Sequence, residues 1–269
     1  MENNLNFLVD SHCHLIFDDY KDDIDQVIER AFDAGVKGLV VISTQEKEFD
    51  SIINLSEKYD NIYCSIGIHP HSASEHKNIS VDRIIDLTKH DKVIGIGETG
   101  LDFFYENSEK EIQIDLFKKH IKISRETGLP LIIHTRDADE ETCGLLESEY
   151  KRGKFNGLIH CFTAGQKMAE VALKLGFYIS LSGIVTFKNA SELRETIKNL
   201  PLNRIIVETD SPYLSPEPVR GKRNEPSNVV HTAKYLANFY QVSEKDFFNI
   251  TTSNFLKIFK KAKKEHIYG

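Results

Sequence analysis

The chemistry in this chain starts at "DSHCHL" (10–15), where His12 and His14 stand one residue apart at the end of an apolar run. In a strand, residues i and i+2 share a face and lie roughly 6.5–7 Å apart. Two imidazoles so placed can converge on one cation at about 2.0–2.1 Å from each nitrogen. Cys13 then points the other way and reads as a small packed side chain. Two histidines alone are weak evidence, so the rest of the chain must supply further ligands. It does so at the ends of other short apolar runs: His69, Glu98, His134, His160, Glu208 and Asp210 all fall there. A catalytic zinc-type site uses about three protein ligands plus a water. His12, His14 and Asp210 make one such set. His134 and His160 hold a second ion, with the two oxygens of Glu98 bridging both. Two divalent ions (zinc, manganese or magnesium) about 3.5–4 Å apart suit phosphodiester hydrolysis, because they stabilise both the attacking and the leaving oxygens. Asp210 also serves as acceptor for the proton of the attacking water, so Asp210 and Glu98 are the expected catalytic carboxylates.

Around this set lie residues with a functional and a plain reading. Glu208 either orients a ligand histidine or is a buried carboxylate paired with a base. His69, in "GIHPH", is placed to contact substrate phosphate or water; His71 has a weaker claim. Arg136 follows His134, and Arg220, Lys222 and Arg223 follow the last strand. Barrels often bind phosphate near the loops after strands 7 and 8, and arginine pairs with phosphate in bidentate fashion; the plain reading is a solvated charged loop. Phe103, Phe104, Phe162 and Tyr213 either stack bases or simply pack. His76, His90, His120, His231 and His266 lie away from strand ends and read as solvated or packed. The glycines of "GIGETG" lack the third glycine and helix start of a nucleotide loop; their use is to let the chain turn beside Glu98.

The elements that must position these groups are legible too. Eight apolar runs recur: 6–12, 38–43, 62–69, 93–98, 129–135, 157–162, 177–183 and 205–210. Nearly continuous apolar, β-branched runs suit parallel strands covered on both faces. Between them, "DDIDQVIERAFDAG" places Ile24, Val27, Ile28, Ala31 and Phe32 on one helical face and ends near Gly35. "DLFKKHIKISRETG" closes at Gly128 and "QKMAEVALKLG" at Gly176. Strand–helix alternation over eight strands predicts an α/β fold, a (β/α)₈ TIM-type barrel, with an open doubly wound sheet as the alternative. Helices at 228–240 and 243–261 follow the last strand, the second starting at Ser243 with Asp246 three residues on. Without a linker, repeat or low-complexity tract, residues 1–269 read as one domain.

Composition bounds the partner. The net charge of −7 disfavours a nonspecific nucleic-acid coat, whose affinity comes from neutralising phosphates. It leaves room for an enzyme that grips one or two phosphates beside bound metal. The four scattered cysteines, without CxxC spacing, fit a reducing cytoplasm. There is no signal-peptide pattern, no apolar run long enough for a membrane span, and no sign of an obligate protein partner.

Taken together, "DSHCHL", "SIGIHPH", "IGETGLDFF", "PLIIHTR", "HCFTA", "ETDSPYL" and "RGKRNEPSNV" resemble the TatD family of metal-dependent deoxyribonucleases, from about residue 7 to about residue 260 and in the family's order. The one visible departure is Ala164, where a glycine is common after "HCFT". The resemblance implies a TIM-type barrel, a divalent-metal site held by His12, His14, Glu98, His134, His160 and Asp210, and exonuclease action on DNA from the 3′ end, with single-stranded ends as the substrate. Two other readings stay in view. One is a related barrel hydrolase of a small amide, ester or lactone; such enzymes often recruit a carboxylated lysine, and here Glu98 stands in that place. The other is a metal-binding scaffold without turnover.

Overall fold

The computed structural model describes residues 7–105 and 107–268; Asn6, where the first strand is expected to begin, and the ends of the expected 1–269 domain lie outside them. The eight strands are β1 (Leu8–Cys13), β2 (Val36–Ile42), β3 (Ile62–Ile66), β4 (Val93–Asp102), β5 (Leu131–Arg136), β6 (Gly157–Ile159), β7 (Tyr178–Leu181) and β8 (Ile205–Val207). They pair in parallel in the order β1 to β8. The helices are α1 (Ile24–Asp33), α2 (Phe49–Glu57), α3 (Val81–Leu87), α4 (Lys110–Thr127), α5 (Asp139–Arg152), α6 (Gln166–Leu175), α7 (Ser191–Ile197), α8 (Val229–Phe239), α9 (Glu244–Ile258) and α10 (Lys264–Tyr268). This is the (β/α)₈ barrel with C-terminal helices, not the open sheet.

The seam closes beyond β8. Asp210 N donates to His12 O (2.9 Å) and His14 N to Ser211 O (2.8 Å). The buried Asp10 carboxylate accepts from Thr209 N (2.8 Å) and Thr209 Oγ1 (2.6 Å). One apolar side chain or more from every strand fills the barrel interior, among them Val9, Val40, Tyr63, Ile94, Ile132, Leu158, Tyr178 and Ile206, and Phe255, Phe259 and Ile267 of the last helices and their junction pack into the same cluster. The larger core lies between strands and surrounding helices.

Strict alternation from Val9 and Ser11, which face the interior, would send His12 and His14 outward. A register irregularity between Asp10 and Cys13 resets the parity, as a bulge does. Both imidazoles then face the barrel axis, and Cys13 packs in the outer core. The expected strand over 205–210 keeps its ladder only to Val207, because Asp210 adopts a left-handed backbone (φ 55°). The β4 strand instead runs four residues past its expected end. The helix expected over 115–128 begins earlier, at Lys110, where the Gln113 side chain ties its first turns to Asp102 (2.8 and 3.0 Å). It stops as expected at Gly128, and α6 at Gly176. Ser243 Oγ accepts from Asp246 N, capping α9.

His120 on α4 is a packed histidine with a supporting job. Its Nδ1 donates to Leu116 O (2.9 Å), and Nε2 accepts from Ile68 N (3.2 Å), one residue before His69. Burial pushes its pKa down to about 4. The unfolded chain takes up this proton near pH 6.5, the folded one only near 4, so stability is complete above pH 6.5 and falls as pH drops to about 4. The loss from this group is about 3 kcal/mol. Urea unfolding of metal-free protein at pH 7 and pH 4 tests it: the stability gap between wild type and His120→Gln should narrow by that amount. An unchanged gap would refute it.

Candidate metal centre

The β1 bulge, the middle of β4, β5, the residue after β6 and the left-handed turn after β8 bring six side chains to one place. Glu98 lies in the middle, buried, and its two oxygens face different neighbours. Oε2 is 3.3 Å from His12 Nε2 and 3.9 Å from His14 Nε2. Oε1 is 2.8 Å from His160 Nε2, 2.9 Å from His134 Nδ1 and 3.5 Å from His69 Nε2. Asp210 Oδ1 lies 3.3 Å from His14 Nε2 and 3.6 Å from His12 Nε2. The His12 and His160 rings stack at 4.0 Å. Three overlapping groups of ligand-type atoms result: His12 with His14 and Asp210, His12 with Glu98 and His160, and His69 with Glu98 and His134.

The electrostatics follow from this crowding. Burial alone would push the Glu98 carboxyl up, but the charge of the His160 imidazole, with hydrogen bonds from His12 and His134, holds it well below the usual carboxylate range. Burial opposes charge on His160 too, yet Glu98 and Glu208 raise it. Burial drives His69 well down, so that ring is a neutral one. Among the described residues, neither Glu98 nor Asp210 pairs with lysine or arginine. Buried carboxylates balanced only by imidazoles, all offering lone pairs to one region, fit divalent cations: imidazole and carboxylate together suit zinc or manganese.

Glu208 lies beneath the cluster, its Oε1 accepting from Cys161 N (2.7 Å) and 3.2 Å from His160 Nδ1. It fixes the ring of His160 so that Nε2 points at Glu98. Asp102, which the sequence reading passed over, does the same for His134. Its Oδ2 is 2.9 Å from His134 Nε2 and 3.0 Å from His71 Nε2, and its Oδ1 accepts from Phe104 N and Tyr105 N (both 3.1 Å). Burial would raise its pKa, but these hydrogen bonds, led by His134 and His71, keep it well down. An ionised Asp102 requires the proton of His134 on Nε2, leaving the Nδ1 lone pair for the centre. The signal was a second acidic residue four positions after Glu98, hidden by expecting the strand to stop at Glu98. An Asp102→Asn variant should bind manganese about 10–100-fold more weakly, as measured by competition with a chromophoric chelator; unchanged affinity would refute the role.

The cluster opens into a cavity of about 720 Å³. Of the expected substrate contacts, His69, His71 and Arg136 line it, as does Tyr213. Arg220 and Arg223 do not: Arg220 lies over the Phe187 ring (3.7 Å), and Arg223 pairs with Asp23 (2.6 Å) and donates to Asp19 O. Nearby Asp23 and the Tyr20 ring hold Arg223, strapping the loop after β8 to the start of α1. Phe162 is buried in the outer core, and Phe103 is partly buried beneath Lys110. Phe104 stays exposed against Arg136.

Comparison with known proteins gives concordant findings. The family model described as TatD related DNase matches residues 9–260. An uncharacterized metal-dependent hydrolase, YabD of Bacillus subtilis, is 39% identical over 94% of this chain and 99% of its own. A protein of Shigella flexneri named 3′-5′ ssDNA/RNA exonuclease TatD is 32% identical, over 86% of this chain and 91% of its own. The crystal structure of a TatD homologue from Escherichia coli K12 superposes with a TM-score of 0.88 at 26% identity, covering 96% of this chain and 99% of that one. Among the described residues, no helix is long and apolar enough to cross a membrane.

Proposed function

This chain belongs to the TatD family of metal-dependent hydrolases, and from that premise we propose that it is a two-metal phosphodiesterase removing nucleotides from the 3′ ends of single-stranded DNA. The observation that carries the reading is Glu98, whose Oε2 faces His12 and His14 while Oε1 faces His134 and His160. A carboxylate so shared suits two ions: one held by His12, His14 and Asp210, the other by His134 and His160. The exonuclease named among the relatives supports the substrate class.

Divalent ions bound there supply Lewis acidity for attack on phosphorus and for the leaving oxygen. The protein's own groups do the rest. Burial would raise Asp210, but the hydrogen bond from His14 and the charges of His12 and His160 hold it low, so it enters the reaction ionised and able to take the proton of the attacking water. Arg136, at the cavity wall, pairs with a phosphate oxygen. Neutral His69 offers Nε2 to substrate or water beside Glu98. Glu208 and Asp102 keep the rings of His160 and His134 from turning.

The test is release of nucleotides from 3′-end-labelled single-stranded DNA by manganese-loaded protein, with a chelator control and an Asp210→Asn variant. The expected result is chelator-sensitive release that Asp210→Asn lowers by about 100-fold or more. Hydrolysis of a small ester or lactone without nucleotide release would overturn the reading.

A further inference from the structure

The cavity is built for very little nucleic acid. Among the described residues lining it, Arg136 is the one arginine or lysine. Strand-tracking proteins join a positively charged groove to a row of aromatic side chains and cover about 4–16 nucleotides per module. A cavity of about 720 Å³ falls in the range of small-ligand sites, about 300–1,000 Å³. On the loop after β8, Arg220 and Arg223 line no such groove, since they are turned to Phe187 and Asp23.

The aromatic groups are also few and set in two places. Tyr213, 54% exposed, follows β8 beside Phe17, which follows β1 (ring centroids 6.4 Å). Tyr105, 44% exposed, follows β4, and Arg136 at the end of β5 lies 4.8 Å from its ring and 3.9 Å from that of Phe104. In a closed ring of eight strands, β4 and β5 stand opposite β8 and β1. The two aromatic walls therefore face each other across the carboxylate–imidazole cluster.

Resting on the phosphodiesterase reading, we propose that the site takes one phosphodiester with a single nucleoside on either side, and that recognition ends there. One base stacks on Tyr213, with Phe17 standing edge-on beside it. The other stacks on Tyr105, while Arg136, held against Phe104 and Tyr105, pairs with the phosphate between or beside them. The substrate class is then the terminal dinucleotide unit, whether in a long strand or as a free dinucleotide. The protein lets go after each cut.

The experiment compares manganese-loaded protein on a deoxydinucleotide, a trinucleotide and a strand of about twenty nucleotides, with kcat/KM expressed per 3′ end. The expected result is values that agree within a few-fold, against a rise of about tenfold for each further base that a stacking groove engages. Salt dependence should match one or two phosphate contacts, a log–log slope of about −0.7 to −1.4. Tyr213→Ala and Arg136→Gln, both at exposed positions, should raise KM about tenfold because each removes a contact that binds the substrate; Arg136→Gln, beside the reacting phosphate, should lower kcat as well. A steady rise of kcat/KM with length, a slope of about −4 or steeper, or unaltered KM in both variants would overturn the inference while leaving the phosphodiesterase reading intact. No hydrolysis at any length overturns that reading, and the inference falls with it.

Discussion

A Glu98→Gln variant is expected to retain less than one equivalent of manganese after reconstitution and dialysis, where wild type retains two, and to release nucleotides about 1,000-fold more slowly. The reason lies in how many groups depend on one charge. Each Glu98 oxygen is within 3.9 Å of at least two imidazole nitrogens, so the side chain serves both halves of the cluster. An amide keeps the shape and removes the charge. Its nitrogen also turns a lone-pair donor into a hydrogen donor, which repels a cation in whichever half it faces. Both halves then lose affinity together. Elemental analysis beside the DNA assay separates the outcomes: full metal content with normal turnover would refute a bridging Glu98, and loss of one ion alone would place the carboxylate on one side.

The second large effect is on folding. Gly100 sits on β4 directly beside His134 on β5, with φ at +149°, in a region that side chains with a Cβ avoid. A Cβ built there would lie 1.9 Å from His134 O, a backbone atom that cannot move without moving the strand. Gly100→Ala therefore combines a strained backbone with a backbone clash, and the expected loss is about 3–5 kcal/mol. Whatever fraction folds should bind metal poorly, because relief of the clash displaces the residue that carries the His134 ring. Denaturant unfolding checks the first claim and metal titration of the folded fraction the second. An alanine variant as stable as wild type would show that β4 and β5 part easily here.

The strand count, their parallel order and the identity of the six clustered side chains were all legible in the sequence, because parallel strands announce themselves as apolar runs and ligand-type residues ended so many of them. What stayed hidden depended on backbone detail. The bulge in β1 has no residue signature, although His12 and His14 face inward because of it. The left-handed turn at Asp210 looked like continued strand in "IIVETD". Asp102 was missed because β4 was expected to end at Glu98, and a strand's length is decided by its neighbours: β5 pairs with it as far as Arg136. Arg220 and Arg223 show the converse. A basic loop after the last strand is the usual place for phosphate contacts, and only the fold shows Asp23 near enough to take one of the two.

The seam carries a consequence for how the protein matures. His12 belongs to the first strand, and Asp210, whose backbone nitrogen bonds to His12 O, arrives almost two hundred residues later. The Asp10–Thr209 bond spans 199 residues. During synthesis, most of the chain leaves the ribosome before His12 has its last partner, and contacts so distant in sequence form slowly. On the metal assignment proposed above, capture at full affinity would mark a finished barrel: a nascent or truncated chain ending before Thr209 would hold its histidines without the strap that aligns them. An ion held there as proposed would act as an inspector of completed molecules, and an excess of it would favour closed barrels over open ones by mass action.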